Sequence, residues 1–78
     1  MSNTEKYAKV FIETFGITEG SLNGLKYQSI EAWDSVGHMS LIAAIESTFG
    51  ITMDTDDIIE LSSFEKGKEL IAKYHVEL

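Results

Sequence analysis

The 78-residue sequence contains no cysteine, no proline and no arginine. Without cysteine there can be no disulfide, no thiolate metal ligand and no cysteine nucleophile. No apolar stretch approaches the roughly 20 residues that a helix needs to cross a bilayer. The N-terminus has no basic segment followed by an apolar run, so we expect no secretory signal. These absences predict a cytoplasmic protein that does not insert into membranes.

Positive charge is scarce as well. Six lysines stand against 13 acidic residues, which gives a formal net charge of −7. Such a surface repels phosphate backbones, so we expect no binding to nucleic acid. The acidic surface either serves only to keep the protein soluble or steers it toward partner proteins that present basic patches. A single domain over residues 1–78 has room for a small core and for no deep cleft. We therefore expect a monomeric carrier or binding module with no catalytic residue and no metal ligand.

The apolar residues recur with the period of helices, and no segment alternates like a strand. The pattern predicts helices over about residues 4–15, 35–49 and 54–61, and a fourth that begins after Ser62. Ser2 and Glu5 have the spacing of a capping box at the first start, and Ser62 and Glu65 have it at the last. The predicted fold is an all-α four-helix bundle, with three longer helices, a short third helix and a long loop between helices 1 and 2.

Two identical segments end the first two predicted helices. Thr14–Thr18 and Thr48–Thr52 both read Thr-Phe-Gly-Ile-Thr. The glycine suits a residue with positive φ after the last helical turn, and the isoleucine can fold back on that turn. Because the flanking sequences differ, we interpret the repeat as the same helix stop used twice.

The predicted core is made of one apolar stripe from each of the three longer helices, together with anchors from the loop over residues 16–33. That loop exceeds the roughly 12–15 residues that compact domains tolerate without a reason. Its apolar side chains argue against a disordered linker, so we expect them to pin it to the helices. The stripe residues are Tyr7, Val10, Phe11 and Phe15, then Leu41, Ile45 and Phe49, then Phe64, Leu70, Ile71 and Tyr74. The loop anchors are Leu22, Leu25, Tyr27, Ile30 and Trp33.

The second helix carries more apolar residues than one buried face requires. Its second stripe consists of Val36, Met39 and Ala43. This stripe either packs against the long loop or forms a partner-binding face. Carboxylates flank the helix, which favours partners with basic docking patches. We predict a partner-binding face that consists of Val36, Met39, Ala43, Glu46 and Asp57.

The dipeptide Asp34-Ser35 precedes the second helix and is, taken alone, a common N-cap signal. A phosphodiester attached to a serine at this position would be stabilised by unpaired N–H groups and the helix dipole. His38 falls on the same side of the helix, but no third group completes a catalytic triad. We expect His38 and His75 to be ordinary surface histidines.

The stretch Trp33-Asp34-Ser35-Val36-Gly37-His38-Met39 resembles the Asp-Ser-Leu attachment motif of acyl carrier proteins, with Val36 in place of the leucine. The resemblance extends over essentially the whole chain, including the long loop, the short third helix and the Ser62-Ser63 pair before the last helix. Residues after the serine also follow the spacing of the family. These residues are Leu41, Ile45, Glu46, Phe49 and Ile51.

The resemblance implies that a phosphopantetheinyl transferase attaches 4′-phosphopantetheine from coenzyme A to Ser35, with Asp34 and Val36 beside the arm. It also implies that the thiol of the arm carries acyl or aminoacyl groups as thioesters to partner enzymes. Gly37, His38 and Ser40 stand where many fatty-acid carriers have acidic residues. This departure favours a specialised carrier of a lipid, surface-polysaccharide or other biosynthetic pathway.

Two other interpretations remain beside the carrier. In the first, the chain is an acidic helical interaction module without a prosthetic group, and Asp34-Ser35 is only a helix cap. In the second, the acidic residues at the third helix bind calcium, although the segment lacks the glycine and the distal bidentate glutamate of an EF-hand. These acidic residues are Asp54, Asp56, Asp57 and Glu60.

Overall fold

In a computed structural model that describes residues 1–78, the chain forms four α-helices and no β-strand. The helices are α1 (Asn3–Phe15), α2 (Ser35–Phe49), α3 (Thr55–Glu60) and α4 (Phe64–Ala72), with a 3₁₀ turn at Glu19–Ser21 in the long loop. α1 packs along α2. The predicted all-α bundle with a short third helix is confirmed. No helix combines the length and the apolar character that crossing a membrane requires.

Serine side chains cap the first and the last helix. The backbone N–H of Ser2 donates to Glu5 Oε1 at 3.0 Å, and the N–H of Glu5 donates to Ser2 Oγ at 3.1 Å, so the predicted capping box is confirmed. α4 is capped by Ser63 and not by Ser62, because Ser63 Oγ accepts the Lys66 N–H at 2.9 Å. The helix begins after Ser62, as predicted, but the predicted capping box of Ser62 and Glu65 is wrong.

The repeated segment ends α1 and α2 with the same geometry. Gly16 and Gly50 have φ values of 65° and 64°, in the left-handed region that favours glycine. After each glycine the isoleucine N–H bonds back across the helix end. Ile17 donates to the Ile12 carbonyl and Ile51 to the Glu46 carbonyl, both at 3.1 Å. This is the six-to-one bond of a Schellman motif, and the glycine N–H bonds the same carbonyl in both helices, so the two helix stops have the same geometry.

Aromatic side chains form the centre of the core. Phe11 meets Trp33 edge-on with ring centroids 5.6 Å apart, and Tyr7 packs against Phe64 at 5.0 Å. The Tyr7 hydroxyl donates to the Phe64 carbonyl at 2.7 Å. A Cβ at Gly67 would lie 2.1 Å from this hydroxyl oxygen. Only glycine fits there, which accounts for a residue that otherwise weakens the middle of α4.

The long loop is pinned to the bundle, as predicted. Leu22, Leu25 and Trp33 are buried, and Tyr27 and Ile30 are partly buried. Its backbone also pairs with the connection between α3 and α4. The Tyr27 N–H donates to the Ser62 carbonyl at 2.8 Å, and the Phe64 N–H donates to the Leu25 carbonyl at 3.0 Å. The loop is therefore a fixed part of the fold beside the start of α2.

Asp57 does not belong to an exposed partner-binding face. It is 5% exposed, and its two oxygens accept hydrogen bonds from Lys73 Nζ at 2.6 Å and from the Tyr74 hydroxyl. The Tyr74 oxygen also accepts the Asp54 N–H at 2.8 Å. The predicted partner role of Asp57 is therefore wrong, because its carboxylate is occupied within the chain. Tyr74 lies just after the end of α4, where it is partly buried and packs against the core.

The Asp57 contacts predict an acid-sensitive link between α3 and the end of α4. The hydrogen bond from Lys73, assisted by that from Tyr74, lowers the pKa of Asp57 below its usual value. A lowered pKa gives stability that is present above the unfolded-state value and is lost as the pH falls through the folded-state value. Asp57→Asn should therefore destabilise the protein at neutral pH, with a difference from wild type that shrinks below about pH 4.

Urea unfolding of both proteins across this range measures the effect. Asp56→Asn is the matched control, because Asp56 is exposed, lies in the same helical turn and makes no side-chain hydrogen bond. A constant difference between Asp57→Asn and wild type from neutral to acidic pH would contradict a role for the carboxylate charge.

Candidate functional site

Ser35 is the first residue of α2 and is exposed. The preceding residue caps the helix, since Asp34 Oδ1 accepts the Gly37 N–H at 2.8 Å. The backbone N–H groups of Ser35 and Val36 make no hydrogen bond within the chain. The serine hydroxyl thus lies at the positive end of a 15-residue helix, beside two free donors. The expected cap at Asp34 is confirmed, and the arrangement suits an anionic group on Ser35.

Gly37 brings the long loop close to the start of α2. A Cβ at this position would lie 1.8 Å from the Ala32 carbonyl oxygen. Any larger residue would push the loop away from the helix turn that carries Ser35. In the sequence, Gly37 stands out only as a departure from a family pattern. Its close approach to Ala32 can be seen only in the three-dimensional structure.

An apolar groove opens beside Ser35. It has a volume of about 360 Å³ and lies between the start of α2, the long loop and α3. Most of its lining is hydrophobic, and the serine hydroxyl is one of its few polar groups. Besides Ser35, the residues that line it include Tyr27, His38, Met39, Ile58, Ile59 and Leu61. An attached group at Ser35 would therefore meet apolar surface immediately.

His38 is not a surface histidine, contrary to the expectation. The Trp33 indole N–H donates to His38 Nδ1 at 3.0 Å, and His38 Nε2 lies 2.8 Å from the Ile58 carbonyl oxygen. Because an indole can only donate and a carbonyl can only accept, Nδ1 is the acceptor and Nε2 carries the proton. The imidazole therefore joins the loop, α2 and the end of α3, where helix carbonyls lack partners. His75 is exposed, as expected.

The Tyr27 ring lies beside His38 and Ser35. Its hydroxyl oxygen is 3.3 Å from Ser35 Oγ. The ring meets His38 edge-on at 5.6 Å and Trp33 edge-on at 6.4 Å, measured between centroids. Both ring nitrogens of His38 are bonded elsewhere, so Tyr27 and not His38 is the side chain that bonds the serine hydroxyl. A nucleophilic serine activated by an adjacent histidine is therefore not what this geometry forms.

The second apolar stripe of α2 is exposed and does not pack under the loop. Val36 is 76% exposed and Met39 is 54% exposed, and Ala43 is also exposed. Ile59 of α3, at 73% exposed, adds to the exposed apolar surface around the groove. Glu46 is half-buried, and its Oε2 accepts the Met53 N–H at 2.8 Å. One oxygen of this predicted partner residue is thus used to hold the loop after α2.

Exposed carboxylates surround this apolar stripe in the sequence. Glu31 and Asp34 precede it, and Asp54, Asp56 and Glu60 belong to α3 or its start. No three His, Cys, Asp or Glu side chains are grouped so that they could hold a metal ion. The acidic residues of α3 contribute negative potential, and Asp56 and Asp57 place it in the first turn of the helix.

Fold and site together define a small helical bundle, with an exposed serine at a helix start beside an apolar groove. No family model matches the chain, and no curated protein or solved structure matches it either.

The double hydrogen bond of His38 yields a stability prediction. His38→Leu removes the acceptor of a completely buried indole N–H, which should lower the free energy of unfolding by about 1–3 kcal/mol. The chain has one tryptophan, so its single indole N–H resonance reports the change directly by NMR, through faster exchange with water.

The control replaces the other histidine. His75 is exposed, makes no side-chain hydrogen bond and has a φ of 66°, which asparagine tolerates. His75→Asn should unfold at the wild-type denaturant concentration. Equal stability of the two variants would show that the His38 bonds do not contribute.

Proposed function

We propose that the protein is an acyl carrier protein that bears 4′-phosphopantetheine on Ser35. The observation that carries the proposal is the position of the Ser35 hydroxyl: exposed at the positive end of α2, and directly at an apolar groove of about 360 Å³. The sequence around it resembles the attachment motif of that family. The thiol belongs to the attached arm, so the absence of cysteine from the chain agrees with this function.

The attachment reaction uses coenzyme A and a separate phosphopantetheinyl transferase. Ser35 Oγ forms a bond to the phosphorus that bears the pantetheine, the P–O–P bridge breaks, and 3′,5′-ADP leaves. The serine proton passes to a base of the transferase. The product is an anionic phosphodiester next to the free N–H groups of Ser35 and Val36, which stabilise negative charge there. The groove offers apolar surface to the arm or to its acyl or aminoacyl cargo.

The partners of such a carrier are enzymes that bind its exposed α2 face. Val36, Met39 and Ala43 provide apolar contact area, and acidic residues lie on either side of them in the sequence. This composition fits an apolar cleft that is bordered by lysine or arginine. The net charge of −7 further speeds the encounter with basic partners.

The alternative is an acidic helical interaction module without a prosthetic group. Asp34 does cap α2, as that alternative also requires. A helix cap at Asp34 does not by itself explain why an exposed serine lies at the mouth of an apolar groove. The carrier function accounts for both features, and we therefore favour it.

Loading with coenzyme A tests the proposal. The purified protein is incubated with coenzyme A, Mg²⁺ and a phosphopantetheinyl transferase of broad specificity, and its intact mass is recorded. Wild type should gain one phosphopantetheine and Ser35→Ala should gain none. If the folded wild type gains nothing with several transferases, Asp34-Ser35 is only a helix cap and the interaction module is the better explanation.

A matched pair of lysine variants tests the docking face. Ala43 and Ala72 are both exposed helical alanines, on α2 and at the end of α4. Ala43→Lys places a positive charge on the proposed face and should reduce kcat/KM of loading by about tenfold, equivalent to about 1.4 kcal/mol. Ala72→Lys changes the net charge equally and should load at the wild-type rate. Equal rates for the two variants would exclude this face as the docking surface.

A further inference from the structure

The hydroxyl of Tyr27 is the one side-chain group that bonds the Ser35 hydroxyl. The two oxygens are 3.3 Å apart, and both residues line the groove. A phenyl ring would fill the same volume in the loop and keep the same edge contacts with Trp33 and His38. Packing therefore accounts for an aromatic ring at this position and leaves the hydroxyl group without an explanation.

Backbone hydrogen bonds of two successive residues fix the position of Tyr27. The N–H of Tyr27 itself donates to the Ser62 carbonyl at 2.8 Å. On the next residue, Gln28 adopts a left-handed φ of 65°, and its N–H donates to the Trp33 carbonyl at 2.9 Å. A glutamine in this region is uncommon and persists only where neighbouring structure requires it. The turn folds the chain back so that the Tyr27 side chain reaches the start of α2.

Neighbouring side chains also restrict the Tyr27 ring. Trp33 is completely buried, and its indole N–H fixes the His38 imidazole. These two rings are nearly parallel, with an interplanar angle of 14°, and the Tyr27 ring stands edge-on to both. Little conformational freedom remains to be lost when the hydroxyl forms a hydrogen bond at Ser35, which favours that bond.

We propose that Tyr27 is a positioning residue for the phosphopantetheinylation of Ser35, and that its hydroxyl afterwards hydrogen-bonds the phosphodiester. This inference rests on the proposed function. In the unmodified protein, Tyr27 donates to Ser35 Oγ and orients it, so that the serine proton points toward the transferase base. During transfer the serine loses that proton as the new P–O bond forms and 3′,5′-ADP departs.

The direction of this hydrogen bond does not have to change in the product. A phosphodiester has no proton to donate, whereas the phenol retains its own. The same Tyr27 O–H then donates to an oxygen of an anion, and hydrogen bonds to charged acceptors are the stronger kind. Tyr27 thereby supplements the free N–H groups at the start of α2 and keeps the first atoms of the arm beside the groove.

Tyr27→Phe removes the hydroxyl and keeps the ring. We expect kcat/KM for loading by a phosphopantetheinyl transferase to fall about two- to tenfold, the loss that corresponds to one hydrogen bond. The matched control is Tyr74→Phe, which deletes a phenol hydroxyl that bonds Asp57 and the Asp54 N–H away from Ser35. Tyr74→Phe should lower thermal stability and still load at the wild-type rate.

The ³¹P NMR signal of the loaded proteins separates positioning from a purely structural role. After loading is driven to completion, the phosphodiester resonance of Tyr27→Phe should shift from its wild-type position, and that of Tyr74→Phe should not. If Tyr27→Phe loads at the wild-type rate with an unshifted resonance, the inference is wrong while the carrier function stands. If wild type itself takes up no phosphopantetheine, the proposed function fails.

Discussion

The hydrogen bond from the buried indole of Trp33 to His38 is the interaction on which the region around Ser35 depends. The Trp33 ring is completely inaccessible and packs against Phe11 and Phe15 of α1. A buried N–H without an acceptor would cost about 1–3 kcal/mol, so the indole requires a partner inside the protein. His38 provides it, and the opposite nitrogen of the same ring bonds the Ile58 carbonyl. One aromatic side chain thus ties α1, the loop, α2 and α3 together.

This arrangement leaves the site rigid on one side and open on the other. The loop, the histidine and the glycine at position 37 fix the start of α2. Val36 and Met39 of α2 and Ile59 of α3 remain largely exposed. A carrier needs both properties: a defined attachment point and a surface that successive partners can bind. In the proposed function, the acidic side chains suit recognition by basic partner proteins.

Much of the fold follows from local patterns in the sequence. The two Thr-Phe-Gly-Ile-Thr segments, the Ser2–Glu5 capping box and the apolar stripe of α1 involve residues close together in the chain, so spacing alone identifies them. The site was less predictable. His38 takes one of its two partners, and Asp57 takes both, from 16 to 20 residues away, and their roles depend on how α2, α3 and α4 meet. A lone histidine and an acidic residue at a helix start are usually exposed, which is why both were assigned to the surface.

Analysis of the protein isolated from the cells that naturally produce it would test the attachment of phosphopantetheine to Ser35 most directly. The protein is digested, and the peptide that contains Ser35 is fragmented in a mass spectrometer. We predict that this peptide carries one phosphopantetheine and releases it on fragmentation, and that peptides with the other serines are unmodified. A peptide with an unmodified Ser35 in every preparation, from cells whose other carrier proteins are fully loaded, would contradict the carrier function.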